Sequence, residues 1–408
     1  MLRALRYRNY RLFFAGQILS LVGTWITTTA TSWLVYRLTG SAWLLGVVGF
    51  AGQFPAFLLG PFSGIVVDRW NRHRLLVLTQ TFAMLQSFAL AALTLSGRVT
   101  IEAVVMLNIV QGLVNAFDMP ARQSFLIQMI ENKEDAGVII AAAGEGWCFA
   151  IDGVSYVAVI VALLMMRIAR VAPSSGRGRA LQQFKEGFTY AFGFAPIRAV
   201  ILLLAIVSLV GVPYTVLMPI FAASVFQGGP HTLGLLMTAS GCGALAGALW
   251  LAARKTVVGL GRVIPIATAL FGAGLIAFSF SRVLWLAVPS LVVAGFGFMV
   301  QMASSNTILQ TIVDDEKRGR VMSFYMMAFL GTAPFGSLIA GSLSSRIGAP
   351  HTLLIGGICC IAGGASFASG LPAIRAAVRP IYIRMGILPE VAAGLGNAAE
   401  LSVPPERQ

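Results

Sequence analysis

Apolar runs of about twenty residues recur along this chain, each closed by a short cluster of charged residues, glycine or proline. The run "AWLLGVVGFAGQFPAFLLGPFSGIVV" (42–67) carries no charge. A helix rises 1.5 Å per residue, so crossing a hydrocarbon core of roughly 30 Å takes about 20 residues. Such runs predict spans at 12–37, 42–67, 75–96 and 101–118, then at 147–166, 198–226, 232–253, 263–281, 283–306, 321–345 and 350–374. The pattern predicts an all-α polytopic membrane protein with eleven full spans.

One run departs from the pattern. In "ENKEDAGVIIAAAGEGWCFAIDG" (131–153) only the eight residues 136–143 are apolar before a Gly-Glu-Gly turn. The spacing of the other runs explains it. Leu12 to Asp118 is 106 residues and Ala199 to Asn306 is 107, so the chain repeats itself in two halves. Beyond those points Asp118 to Met166 is 48 residues, whereas Asn306 to Arg375 is 69. In the second half, Ala340-Gly341 is followed seven residues later by Gly348; in the first, Ala136-Gly137 is followed seven residues later by Gly144. Asp315 to Ala340 is 25 residues, yet Asp135 and Ala136 are adjacent. The stub at 136–143 therefore reads as the last third of a fifth span that has lost about 24 residues.

The expected organisation is a first half at 1–166 (spans 1–4, the stub, span 6), a basic connector at 167–197, a second half at 198–375 (spans 7–12) and a flexible tail at 376–408. Leu181, Phe184 and Phe188 recur at helical spacing in the connector, which predicts an amphipathic helix on the inner leaflet.

Charge fixes the orientation. The net charge is +14 with 29 Lys and Arg. Counting loops by alternation from a cytoplasmic N-terminus puts 25 of the 29 on one side and only Arg37, Arg98, Arg282 and Arg346 on the other. This asymmetry accounts for the charge without a nucleic-acid partner and puts both termini in the cytoplasm. "MLRALRYRNYR" leads into the first span with no small-residue cleavage site, so that span is expected to remain. Cys148, Cys242, Cys359 and Cys360 lie in apolar segments without ligand spacing and are expected as small buried residues, not metal ligands. No phosphate-binding Gly-Lys-Ser/Thr loop, zinc set or nucleophile elbow is present, so neither an enzyme nor a cofactor is expected.

The loop after the second span reads "GIVVDRWNRHR" (64–74). With Gly64, Asp68, Arg69, Arg72 and Arg74 in register, it resembles the loop 2–3 signature of the major facilitator superfamily. Asn71 replaces the usual second glycine, a mild change because Asn tolerates a left-handed turn. The segments 23–46, 115–126 and "RGRVMS" (318–323) resemble the exporter branch that includes the enterobactin exporter and macrolide efflux proteins. The resemblance implies two pseudo-repeated helical halves in a bacterial plasma membrane, working on a small-molecule substrate with protons as the coupling ion. It also implies that Asp68 meets the start of span 11 to hold the cytoplasmic side closed.

Polar residues on apolar helices are costly in lipid and are expected to face a cavity or a partner. Asn108, Gln111, Asn115 and Asp118 fall on one face of span 4, and Gln17, Thr24 and Thr28 on one face of span 1. Family architecture puts spans 1, 4, 7 and 10 around the central cavity, which adds Tyr214, Gln301 and Ser305 to the candidate path. Asp118 with Arg122 is a candidate gate or brace, and Asp152 a candidate coupling acid.

Two functions compete: proton-coupled export of a small amphipathic compound, and a non-transporting remnant without span 5. The second gains weight because Lys133 and Arg167 both belong on the basic side, while the 31 residues 136–166 are too short for two crossings.

Overall fold

The computed structural model describes residues 8–127, 188–254 and 256–385, with short pieces at 156–157 and 159–161. The stub at 136–143, the expected start of the connector helix and Asp152 lie outside the described residues.

The first half contributes α1 (Arg8–Thr39), α2 (Ala42–Arg69), α3 (Arg72–Leu95) and α4 (Ile101–Ile127). The turns joining them are tight. Gly40 (φ +60°) and Gly97 (φ +69°) adopt the left-handed conformation that a residue with a Cβ rarely takes. Helix α4 continues nine residues past the predicted end at Asp118, because Asp118 ends the apolar run but not the backbone ladder. Asn71 is not left-handed: at φ −66°, ψ 111° it caps α3, accepting from the Arg74 amide at 3.2 Å. An orphan N–H at the helix start makes Asn useful there as a cap.

The second half contains α5 (Ala195–Ile206), α6 (Tyr214–Ile220), α7 (Pro230–Ala252), α8 (Leu260–Phe280), α9 (Leu284–Ile312), α10 (Asp315–Leu330), α11 (Ala333–Ile347), α12 (Ala349–Ser369) and α13 (Leu371–Arg384). Nine helical stretches among the described residues are long and apolar enough to cross a membrane. Two of these are broken. Ala195–Val225 joins α5 to α6 through a π turn at Val207–Gly211, and Lys317–Ile347 joins α10 to α11 across Gly331-Thr332. Pro213 and Pro334 explain the breaks, since proline has no N–H for the carbonyl one turn earlier and its ring clashes there. The breaks pack on one another. The Ser208 hydroxyl donates to the Phe329 carbonyl, Thr332 Oγ1 donates to the Ala328 carbonyl at 2.8 Å and lies 3.4 Å from that of Ala205, and a Cβ on Gly336 would collide with the Leu209 carbonyl.

A core of Phe221, Phe271, Phe278, Leu291 and Tyr325 fills the second half, and one of Ile26, Leu34, Leu90 and Val104 the first. Helix α13 occupies part of the segment expected as a mobile tail. Its Ile374, Val378 and Ile381 repeat at helical spacing and pack onto the second-half core. Residues 188–193 of the connector are helical. Phe188 stacks on Phe192 with ring centroids 4.5 Å apart, and both meet the edge of Phe324 on α10. Tyr190 donates to Asp314 at 3.5 Å beneath the Lys317 ammonium, and burial followed by the Asp314 charge raises its phenol above the ordinary tyrosine range. Cys360 is buried as expected, whereas Cys359 is half-buried and Cys242 is exposed from α7, contrary to the expectation; Cys148 lies outside the described residues.

Candidate functional site

The two halves meet where α1 ends and α2 begins. The Tyr36 hydroxyl hydrogen-bonds Ser224 Oγ at 2.6 Å. Next to it α2 crosses α11 backbone to backbone. A Cβ on Gly46 would lie 2.5 Å from the Ser337 carbonyl, and one on Gly341 would lie 2.8 Å from that of Ala42. Small residues allow this approach, which supplies packing where apolar surface alone gives no drive in lipid. One turn further along, Phe335 meets Phe50, Phe54 and Phe57, with centroids 5.9, 6.1 and 5.6 Å away. Phe57 also covers Gly331, at the break in the span formed by α10 and α11. The joint thus runs from Tyr36 to the depth of the broken helices.

The α4 stripe divides between two neighbouring helices and a pairing within α4 itself. Gly52 of α2 faces Asn108, whose Nδ2 donates to the Val104 carbonyl at 2.9 Å. Gln111 Nε2 donates to Asn115 Oδ1 at 3.1 Å, both half-buried. Asp118 is buried at 5% exposure against α3, where Thr79 Oγ1 and Gln80 Nε2 donate to Oδ1 at 2.8 and 2.7 Å. Thr79 and Gln80 were absent from the sequence candidates. Their signal was an adjacent polar pair in an otherwise apolar span, which the search for one-face stripes passes over.

Thr24 and Thr28 are exposed on α1, and the Thr28 hydroxyl donates to the Thr24 carbonyl at 2.8 Å. Tyr214 is buried, hydrogen-bonded to Ser240 Oγ and edge-on to Phe271. Gln301 and Ser305 are fully buried on the α9 face that carries Gly297, which packs on α8. Gln301 Nε2 lies 3.4 Å from Ser305 Oγ, and Gln301 Oε1 has no hydrogen-bond partner. Gly64, Asp68, Arg69, Arg72, Arg122 and Gln17 lie in α1 to α4, but their side chains lie outside the described residues; Arg74 is exposed.

Nine apolar helical stretches among the described residues, in two halves that meet between α2 and α11, fit the major facilitator fold expected from the sequence. Solved structures agree on the fold. A nucleoside transporter, NupG, superposes with TM-score 0.63 at 15% identity, covering 89% of this chain and 98% of that one. A bacterial homologue of the human lysosomal transporter Spinster, in an inward-facing and unoccupied conformation, gives 0.59 at 13% identity over 93% of this chain and 98% of that one. The sequence profile of the transmembrane secretion effector family matches residues 1–136 and 135–382, and the chain belongs to that family. It is similar to the staphyloferrin A transporter of Staphylococcus aureus, 25% identical over 375 residues that take in 86% of this chain and 93% of the other. It is also similar to macrolide efflux protein A of Streptococcus pyogenes, 21% identical over 391 residues, 88% of this chain and 96% of the other. The multidrug efflux pump Tap of Mycolicibacterium fortuitum is 24% identical over 363 residues, 81% of this chain and 88% of its own.

Proposed function

We propose that this transporter exports a small amphipathic compound from the cytoplasm in exchange for protons by alternating access. The observation that carries the reading is the similarity, along more than four fifths of the chain, to macrolide efflux protein A and the multidrug efflux pump Tap. With the N-terminus in the cytoplasm, as the charge asymmetry supports, the end joined by Tyr36, Gly46, Gly341 and Ser224 is the outer one. A contact there belongs to the inward-facing half of an alternating-access cycle. Asp118 then braces α3 to α4 near the cytoplasmic end, and Asp152 is the proposed coupling acid.

The same reading takes the loss in span 5 as real and compatible with transport. One observation supports it. The family profile matches in two stretches that meet at residues 135–136, the junction inferred from the repeat.

An export assay tests both points. In bacteria stripped of their own efflux pumps, cells making this chain should accumulate less ethidium and tolerate more erythromycin than empty-vector cells, and a protonophore should remove both differences. No difference for the natural chain, with export gained only when a 24-residue helix is restored between Asp135 and Ala136, would favour the remnant instead.

A further inference from the structure

Contacts between three helix ends bring three arginines to one corner of the second half. The turn between α7 and α8 folds back on Arg254, whose Nη2 donates to the Val258 carbonyl at 3.2 Å and would stand 3.6 Å from a Cβ on Gly259 (φ +88°). Helix α8 starts at once and carries Arg262, exposed, in its first turn. A Cβ on Gly261 would lie 3.3 Å from Leu371 Cδ1, so the first turn of α13 rests beside that of α8. Arg375, one turn on from Leu371 and about 6 Å further along the axis, is exposed as well. We propose that this corner holds the phosphate of an anionic phospholipid of the inner leaflet.

Depth favours a lipid over a soluble anion. Helix α7 ends at Ala252, α8 begins at Leu260 and α12 ends at Ser369, so three spans leave the membrane at this corner. With the N-terminus in the cytoplasm, that is the inner surface. Leu245, Leu249 and Trp250 are exposed on the α7 face leading to it, a face suited to hydrocarbon. Indoles favour the boundary between hydrocarbon and headgroups, and the Arg254 guanidinium sits over the Trp250 ring, 5.2 Å from its centroid. Stacking holds the guanidinium in place before any ligand arrives. Arg254 Nε, shielded from water, has no hydrogen-bond partner, so the group still has a donor to give.

Charge matches the occupant. Along the sequence no acid stands between Arg198 and Asp314, or between Glu316 and Glu390, so α7, α8, α12 and α13 bring none to the corner. Arg379 and Arg384 continue the basic side of α13, while Ile374, Val378 and Ile381 hold its other side against the core. The planar guanidinium fork fits phosphate oxygens, and each basic residue at this level is drawn to an anionic leaflet. Membrane orientation alone asks only for cations on this side. It does not ask for one fixed on an indole beside two exposed ones.

A lipid titration tests the site. Detergent-purified full-length chain would be titrated with phosphatidylglycerol in mixed micelles, with phosphatidylcholine as the neutral lipid, inorganic phosphate as the soluble anion, and melting temperature as the readout. Saturable stabilisation by phosphatidylglycerol alone is expected. Arg262→Gln and Arg375→Gln should each raise the half-saturating lipid concentration about five-fold, and the pair about thirty-fold. Arg262→Lys with Arg375→Lys keeps the charge and should lose less, which separates loss of the site from a folding defect. Arg282→Gln with Arg346→Gln removes the same charge from exposed positions at the outer end and should change nothing. The proposal is overturned if phosphatidylcholine stabilises equally, if phosphatidylglycerol does not stabilise, or if the outer pair loses as much as the inner one. Stabilisation by inorganic phosphate without any from lipid would assign the corner to a soluble anion and overturn it too.

Discussion

Replacing Gly46 by leucine is expected to destroy the outer seal while leaving the chain folded in the membrane. A Cβ there would lie 2.5 Å from the Ser337 carbonyl and 3.0 Å from the Gly341 Cα, both main-chain atoms that cannot swing aside. Overpacking of this kind costs about 1–3 kcal/mol, a shift of roughly five- to hundred-fold away from the sealed state. The strain exists only while α2 and α11 touch, so it falls on the equilibrium between states and not on the folded bundle as a whole. Export should drop by a comparable factor, and a cysteine at Ser337 should gain reactivity toward a membrane-impermeant thiol reagent. Gly341→Leu should repeat the effect from the other side. Gly241→Ala is the control, since nothing lies within 4 Å of its added Cβ. Full export by Gly46→Leu would show that the crossing is incidental.

The second large effect is expected at Asp118. Its carboxylate is buried and accepts from Thr79 and Gln80, while Gln80 Oε1 has no hydrogen-bond partner. Asp118→Ala leaves the Gln80 amide wholly unsatisfied and removes two hydrogen bonds to a charged group, a loss on the order of 3 kcal/mol. Asp118→Asn keeps the acceptor and brings an amino group that can meet Gln80 Oε1, so it should cost less than about 1 kcal/mol. Melting temperatures of the purified variants check the contrast. If Asn destabilises as much as Ala, the charge itself is held by something beyond Thr79 and Gln80.

The spans were legible because burial in lipid demands a continuous apolar run, and nothing else in the composition produces one at that length. The predicted spans at 42–67, 232–253 and 263–281 each lie within a residue or two of an observed helix end on at least one side. The amphipathic α13 was missed because its 14 residues carry three arginines and two prolines, which look like a tail until its Ile374, Val378 and Ile381 find the bundle. Site residues were harder to place. A helical stripe gives the face a side chain takes, but not which neighbour meets that face. Gln301 and Ser305 are expected on the central path from their place in the tenth span, yet both are fully buried on the α9 face that packs on α8. The joint between α2 and α11 left even less trace, because small residues at a close crossing look like any glycine in a hydrophobic run.

The central claim is that α2 and α11 seal the outer end in one state and must part for transport. The Cβ that Gly49 lacks would stand 3.2 Å from the Ser337 Cβ, close to the spacing a disulfide spans. In a background with the native cysteines replaced, Gly49→Cys with Ser337→Cys should cross-link on mild oxidation, halt export, and recover it on reduction. Ready cross-linking with export undiminished would contradict the account.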